Sequence, residues 1–439
     1  MTLTENHTTG QSTSVPDNRR LRNVVLASLL GTTVEWYDFF LYATAASVVF
    51  KDVFYPDTSA FVGIMLAFAT FAVGFVMRPV GGIIFGHIGD RIGRKRTLAL
   101  TMVTIGAATA LMGVLPSYAQ VGVAAPILLL VLRIVQGFAL GGEWAGAVLL
   151  AVEHSPARRR GLFGSVPQIG LAVGLALGTL VFAGLQTVFG DAAFVSYGWR
   201  IAFLISIVLV VIGFVVRLRV EETPEFAEVD RLAKKSSAPL KDVALPPHTR
   251  NTILGLFARW GEGAAFNTWG VFAITYATGT LNMPDVPVLV SVGIAATVMA
   301  VLLPFAGILV DRHGPHRVYL TGIAAYGLLV YPAFALFDTA NLVWFTVGLV
   351  VVFGVVHAWF YGAQGTLFAS LFPTEVRYTG LSVVYQFSGI WASGLTPLIL
   401  TALLGAANGS PWLACAYLVA TSAISVVATA LIKRSDTYL

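Results

Sequence analysis

Apolar stretches long enough to cross a bilayer follow one another along nearly the whole chain. A membrane-spanning helix needs about 20 mostly apolar residues. Such blocks occupy 24–49, 60–84, 97–115, 122–150, 162–187 and 199–218, then 251–279, 287–310, 318–337, 341–368, 380–404 and 411–432. The pattern predicts an all-α membrane protein with twelve transmembrane helices. The run from Val121 to Ala151 exceeds one crossing and reads as a single tilted helix with a flexible point at Gly141 and Gly142.

The polar intervals divide the chain. Residues 1–23 form an N-terminal tail whose first part is rich in Thr and Ser, with no apolar core before Leu21 and hence no cleavable signal. Residues 219–250 are dense in charge and contain Pro224, Pro239, Pro246 and Pro247, which reads as a linker between a first six-helix unit, 24–218, and a second, 251–432. A short tail, 433–439, follows.

The two units repeat. Gly86, Asp90, Arg91, Gly93 and Arg96 follow the second block, and Gly307, Asp311, Arg312, Gly314 and Arg317 follow the eighth, the same residue types at identical offsets 221 residues apart. A looser echo sets Glu153, Arg158 and Gly161 against Glu375, Arg377 and Gly380. Two matches in equivalent places argue for a duplicated unit, so two pseudosymmetric six-helix bundles with a substrate path between them are expected.

Composition agrees. Of 439 residues, 57% are hydrophobic and 11% charged, against roughly a quarter charged in soluble domains. The net charge of +5 does not point to nucleic acid, because the basic residues cluster between apolar blocks. About 22 of the 27 Lys and Arg fall on one side, with only Lys51 and Arg200 opposite, which places both termini and the linker in the cytoplasm. A single cysteine, Cys415, excludes an intramolecular disulfide and a cysteine metal cluster. No metal-ligand spacing, nucleophile elbow or nucleotide-binding loop is present, so no enzyme activity, cofactor or metal is expected.

The run Gly86-x-x-x-Asp90-Arg91-x-Gly93-Arg94-Lys95-Arg96 resembles the signature of the major facilitator superfamily, and the likeness extends from about Arg22 to Lys433. Within it, Val34-Glu35-Trp36-Tyr37-Asp38-Phe39, Arg78-Pro79-x-Gly81-Gly82, Arg133-x-x-Gln136-Gly137 and Gly141-Gly142-Glu143-Trp144 resemble the metabolite:proton symporters. That group includes bacterial carriers of shikimate, α-ketoglutarate, citrate and proline or betaine. The stretches Ala67-Phe68-Ala69-Thr70-Phe71 and Ala125-Pro126-Ile127-Leu128-Leu129 look most like shikimate-type carriers. The resemblance implies the major facilitator fold in a bacterial inner membrane, acting as a monomer in the lipid bilayer. It also implies proton-coupled symport of a small polar metabolite, such as a shikimate-like or dicarboxylate anion, by alternating access. A proton antiporter, an osmolyte symporter and a transporter-like sensor are the competing readings; for a sensor, the tails and linker are too short to hold a signalling domain.

Ionisable side chains inside a bilayer are costly and usually face a cavity or a partner. Glu35 and Asp38 share one face of the first span. Two carboxylates in a low-dielectric site repel, so at least one is expected to handle a proton; alternatively one pairs with Arg133 and the other lies near water. Glu143 is a further proton-site candidate and, ten residues from Arg133, cannot pair with it along a straight helix. Arg133, Gln136 and Gly137 share a face, either as an anion clamp at a central cavity or as a structural ion-pair partner. Arg259 and Glu262 sit at i, i+3, neutralising one another or parting when substrate competes for the arginine. His357, Tyr361 and Gln364 form a polar stripe, with His357 a candidate for proton coupling or a plain structural histidine. Trp36, Tyr37, Tyr42, Tyr385 and Gln386 are candidate cavity contacts. Gly86, Asp90, Arg91, Gly93, Arg94 and Arg96, with Asp311 and Arg312, form the candidate cytosolic gate. In the superfamily such residues resemble a latch for the outward-open form, with the Asp at a helix N-terminus of the other half; the bland reading is topology-setting charge alone.

Overall fold

The computed structural model describes residues 18–92, 94–141, 144–153, 155–218, 243–433 and 437–438, with side chains described over 29–85, 99–141, 144–149, 151–153, 155–215, 243–433 and 437–438. Twelve crossings follow in chain order. The first unit holds α1 (Asn18–Val48), α2 (Ala60–Ile92), α3 (Arg94–Gly113), α4 (Ala124–Leu140 and Trp144–Glu153), α5 (Arg160–Phe189) and α6 (Trp199–Leu218). The second holds α7 (249–280), α8 (Asp285–His313), α9 (Pro315–Phe337), α10 (Leu342–Ser370), α11 (Arg377–Ala406) and α12 (Trp412–Leu431).

Among the described residues, nine helices are long and apolar enough to cross a membrane. The other three crossings differ for identifiable reasons: α1 carries Glu35 and Asp38, α3 has its apolar part at Ala99–Gly113, and α7 breaks at Arg259 and is rich in glycine and polar residues from Trp260 to Thr280, with π-helical turns at Thr268–Phe272 and Tyr276–Thr280. Nearly all of α7 between Ala258 and Ala277 is buried, so lipid does not select its composition. Further π-helical turns occur at Val350–His357 in α10 and Ile390–Gly394 in α11. Such turns concentrate at functional positions because they re-aim side chains.

The signature run is not a free loop. α2 remains helical through Gly86, Asp90 and Arg91 to Ile92, and α3 resumes at Arg94. Gly93 and Glu143 lie outside the described residues, as do residues 1–17 and 219–242 of the tail and linker, and the side chains of Asp90, Arg91, Arg94 and Arg96. The second copy is similar: α8 runs to His313 and turns at Gly314, whose φ of +82° favours glycine.

Within the first unit, α2 and α4 touch backbone to backbone. A Cβ on Gly81 would collide with the Phe138 carbonyl, one on Gly137 with the Gly74 carbonyl, and one on Gly141 with the Arg78 carbonyl. Backbone cannot move aside as a flexible side chain can. Gly137→Val is therefore expected to cost more than about 3 kcal/mol, the upper end of ordinary overpacking. It should yield little folded protein in detergent, whereas Gly184→Val, where no atom lies within 4 Å, should melt like the parent.

The halves meet along two seams, α5 against α8 and α2 against α11. On the first, Gly161 and Gly307 bring the helices into backbone contact. On the second, Phe75 packs on Gly394 and Phe61 on Gly405.

Candidate functional site

A cavity lies where these seams converge. From the first half it is lined by Trp36, Phe39, Phe40, Phe75, Arg78 and Leu171; from the second by Arg259, Glu262, Phe266, Asn267, Tyr385 and Ser393. Its volume of about 20 Å³ is room for roughly one water molecule. Phe40 and Phe266 stack across it with ring centroids 5.0 Å apart.

Arg259 and Glu262 form an ionic contact, Nε to Oε2 at 3.3 Å, although neither atom makes an aligned hydrogen bond. Arg259 Nη1 donates to the Tyr385 carbonyl at 3.2 Å and to Ser388 Oγ at 3.0 Å. Its guanidinium lies 3.8 Å from the Tyr385 ring centroid, and the Trp144 indole stacks on that ring at 3.6 Å, 14° from parallel. Two groups that close require opposite faces, so Tyr385 is sandwiched between Trp144 of the first half and Arg259 of its own.

Arg78 is the cation sequence reasoning missed. It is 3% exposed and rests among aromatic faces, its Cζ lying 4.2 Å from the Phe75 centroid, 4.4 Å from Phe39 and 5.5 Å from Trp36. Nε and Nη2 are buried and have no hydrogen-bond partner among the described residues. A buried guanidinium with ring faces as company and no anion is costly. With Arg78 and Arg259 against Glu262, the described residues of the cavity lining carry one excess positive charge. The signal was available: Arg78 is a lone arginine inside an apolar block.

Arg133 and Gln136 do share a face, as expected, but that face does not reach the cavity. Gly74 and Gly137 seal it against α2. Arg133 Nη1 donates to Gln136 Oε1 at 2.5 Å, and the guanidinium sits over the rings of Tyr42 at 4.3 Å and Phe39 at 4.6 Å. Gln136 in turn donates to Thr109 Oγ1 at 2.8 Å and approaches the Asp38 carbonyl at 3.4 Å. Tyr37 donates to the Ala202 carbonyl at 3.0 Å. Of the expected cavity contacts in α1, only Trp36 lines the cavity; Tyr37 and Tyr42 pack inside the first bundle.

Glu35 and Asp38 are both buried, and neither lines the cavity. Asp38 lies beside the hydroxyls of Thr109 and Ser206, yet those hydroxyls donate to the Ile105 and Phe203 carbonyls. No hydrogen bond reaches either Asp38 carboxyl oxygen among the described residues.

His357 is boxed by Phe360, Tyr361, Phe353 and Phe266 at centroid distances of 4.6 to 5.5 Å, and neither ring nitrogen has a hydrogen-bond partner among the described residues. Tyr361 lies close to Arg259, Glu262 and Tyr385. Gln364 is fully buried, with neither amide atom hydrogen-bonded among the described residues.

Contacts between the halves flank the cavity toward both ends. At the end bearing the basic loops, Gln386 Nε2 donates to the Gly141 carbonyl at 2.6 Å beside the Trp144–Tyr385 stack. Further out, Arg377 bridges to Glu153 at 2.8 Å, and Asp311 accepts from the Gly161 and Leu162 amides at 2.6 and 3.1 Å, seated at the N-terminus of α5. Arg312 is exposed. At the opposite end, Gln186 Nε2 donates across the seam to Asp285 at 3.3 Å and to Asp191 at 2.8 Å.

The sequence pattern of the Major Facilitator Superfamily matches residues 28–392 and 266–438. The chain belongs to this superfamily. A shikimate transporter of Escherichia coli is 38% identical over 420 residues, 95% of each chain. The inner membrane metabolite transport protein YhjE of the same organism is 38% identical over 391 residues, 88% of each. A proline/betaine transporter of Escherichia coli is 33% identical over 431 residues, 96% of this chain and 85% of the relative. The fold is that of a solved D-xylose-proton symporter, with a TM-score of 0.71 at 16% identity, covering 94% of this chain and 97% of the other. As a superfamily member the chain is a multi-pass membrane transporter of small molecules, not an enzyme.

Proposed function

We propose that the protein is a proton-coupled symporter of a small organic anion, bound between the halves and exposed to each side in turn. The observation that carries this is Arg78, a buried cation facing the cavity without an anion among the described residues. A carboxylate reaching Arg78 supplies the missing charge, and it competes with Glu262 for Arg259 across a contact that is ionic but poorly aligned. Asp38 is the favoured proton site, because its carboxyl group is fully buried with no hydrogen bond to either oxygen among the described residues, a costly place for a lasting charge. Glu35 and Glu143 stand behind it. Coupling runs through α1: Phe39 follows Asp38 in the chain, and its ring touches the guanidinium groups of both Arg78 and Arg133.

The excess positive charge favours an anion over the zwitterionic osmolytes named for some relatives. The basic end is taken as cytoplasmic, with both termini there and the bacterial inner membrane as the site of action. The cavity and the contacts that flank it come from one chain, which supports action as a monomer. In proteoliposomes carrying an inward-directed acid gradient, shikimate or another carboxylate of a test panel should accumulate above equilibrium, and a protonophore should abolish the accumulation. Uptake indifferent to the gradient for every carboxylate would remove symport; accumulation driven by the opposite gradient would establish exchange.

A further inference from the structure

Two buried amides lie just below the cavity with nothing to bind. Gln168 on α5 and Gln364 on α10 are fully buried, and neither the oxygen nor the nitrogen of either side chain has a hydrogen-bond partner among the described residues. Native interiors leave few such groups, because each orphaned polar atom costs about 1–3 kcal/mol. Four such atoms at one level call for a ligand.

Their level follows from the helices. Gln168 precedes the cavity-lining Leu171 by three residues, so it shares that face of α5, about one turn nearer the basic end. Gln364 follows Tyr361, which lies beside Arg259, Glu262 and Tyr385, by three residues on α10, again toward the basic end. The helices cross here: a Cβ on Gly365 would stand 3.7 Å from Gln168 Nε2. Above them Asn267 Oδ1, also without a partner, lines the cavity.

The chemistry of this set is selective. A side-chain amide both donates and accepts, which suits an alcohol, itself both donor and acceptor. A second carboxylate wants a cation beyond Arg78 and Arg259, which the first already draws on, but Arg133 is sealed inside the first bundle. A quaternary ammonium wants open aromatic faces, but those of Trp36, Phe39 and Phe75 already hold Arg78.

We infer that the cargo is a hydroxylated monocarboxylate, its carboxylate at Arg78 and its hydroxyl groups received by the amides of Gln168 and Gln364. This rests on the anion site proposed above. Gln168 and Gln364 are then specificity residues, and the amides discriminate the cargo from its deoxygenated analogue, since a site built to bind hydroxyls rejects a ligand lacking them.

The test compares shikimate with cyclohexenecarboxylate, the same ring acid without hydroxyls, and with 2-oxoglutarate and glycine betaine, in proteoliposomes at fixed pH gradient. Parent protein should prefer shikimate. Gln168→Leu and Gln364→Leu should each raise the KM for shikimate about tenfold or more while leaving inhibition by cyclohexenecarboxylate within about twofold; that retained inhibition also shows that the variants are folded. Gln→Asn at each position, which keeps an amide, should recover part of the loss. Should a Leu variant fail to fold, the Asn variant and the parent's substrate ranking decide. Equal treatment of the two ring acids, or preference for 2-oxoglutarate, overturns the inference and leaves the anion site standing. Preference for glycine betaine, or no carboxylate uptake at all, removes both.

Discussion

Arg78→Gln is expected to reduce carboxylate uptake by about 100-fold or more while leaving the protein folded. Removing one partner of a buried charge pair costs about 2–5 kcal/mol, and about 2.7 kcal/mol is already a factor of 100. The parent guanidinium sits over Phe75 and Phe39 with Nε and Nη2 unsatisfied, so glutamine takes away the attraction for the anion and relieves a buried charge in the empty state. Thermal stability in detergent should therefore hold or rise as transport falls. Arg78→Lys should recover only part of the rate, because an ammonium lacks the planar fork that grips a carboxylate with two bonds. Initial uptake rates in proteoliposomes measure both variants. A glutamine variant within threefold of the parent would place the anion elsewhere.

Asp38→Asn should separate binding from energy coupling. The amide is neutral whatever the pH and can donate to Thr109 and Ser206 as a protonated acid would, so the first bundle should keep its packing. Accumulation against a gradient is then expected to fall to the equilibrium level, while exchange of labelled for unlabelled cargo continues within about threefold of the parent, because exchange needs no net proton movement. Full accumulation in this variant would exclude Asp38 as the proton carrier and bring forward Glu35 or Glu143.

The twelve crossings and their duplication were legible because a bilayer tolerates little else: a helix without about 20 apolar residues cannot stay there, and the paired Asp311 and Asp90 motifs mark equivalent places in the two halves. Which way each polar face points was not legible. Helical period groups Arg133 with Gln136 but does not say what covers them; the cover is decided by Gly74 and Gly137, two hydrogen atoms facing across α2 and α4. Arg259, Glu262, Tyr385 and Trp36 do reach the cavity, all four buried where the halves meet. Arg78 was hidden in a stretch that marks ancestry, and Gln168 in a glycine-rich helix that reads as packing. The π-helical turns of α7, α10 and α11 leave no periodic trace in composition.

The barrier at the basic end is built from two materials. Its outer layer, Arg377 with the partly exposed Glu153 and Asp311 on the α5 amides, is ionic, and on the Glu153 side it meets water; dissolved salt screens charges at such a surface over about 8 Å at cytoplasmic ionic strength. Its inner layer, indole on phenol on guanidinium, is dry and held by stacking. The cell's ionic composition can therefore tune how readily the outer bolt slips while leaving the inner one to answer only to whatever draws Arg259 off its ring.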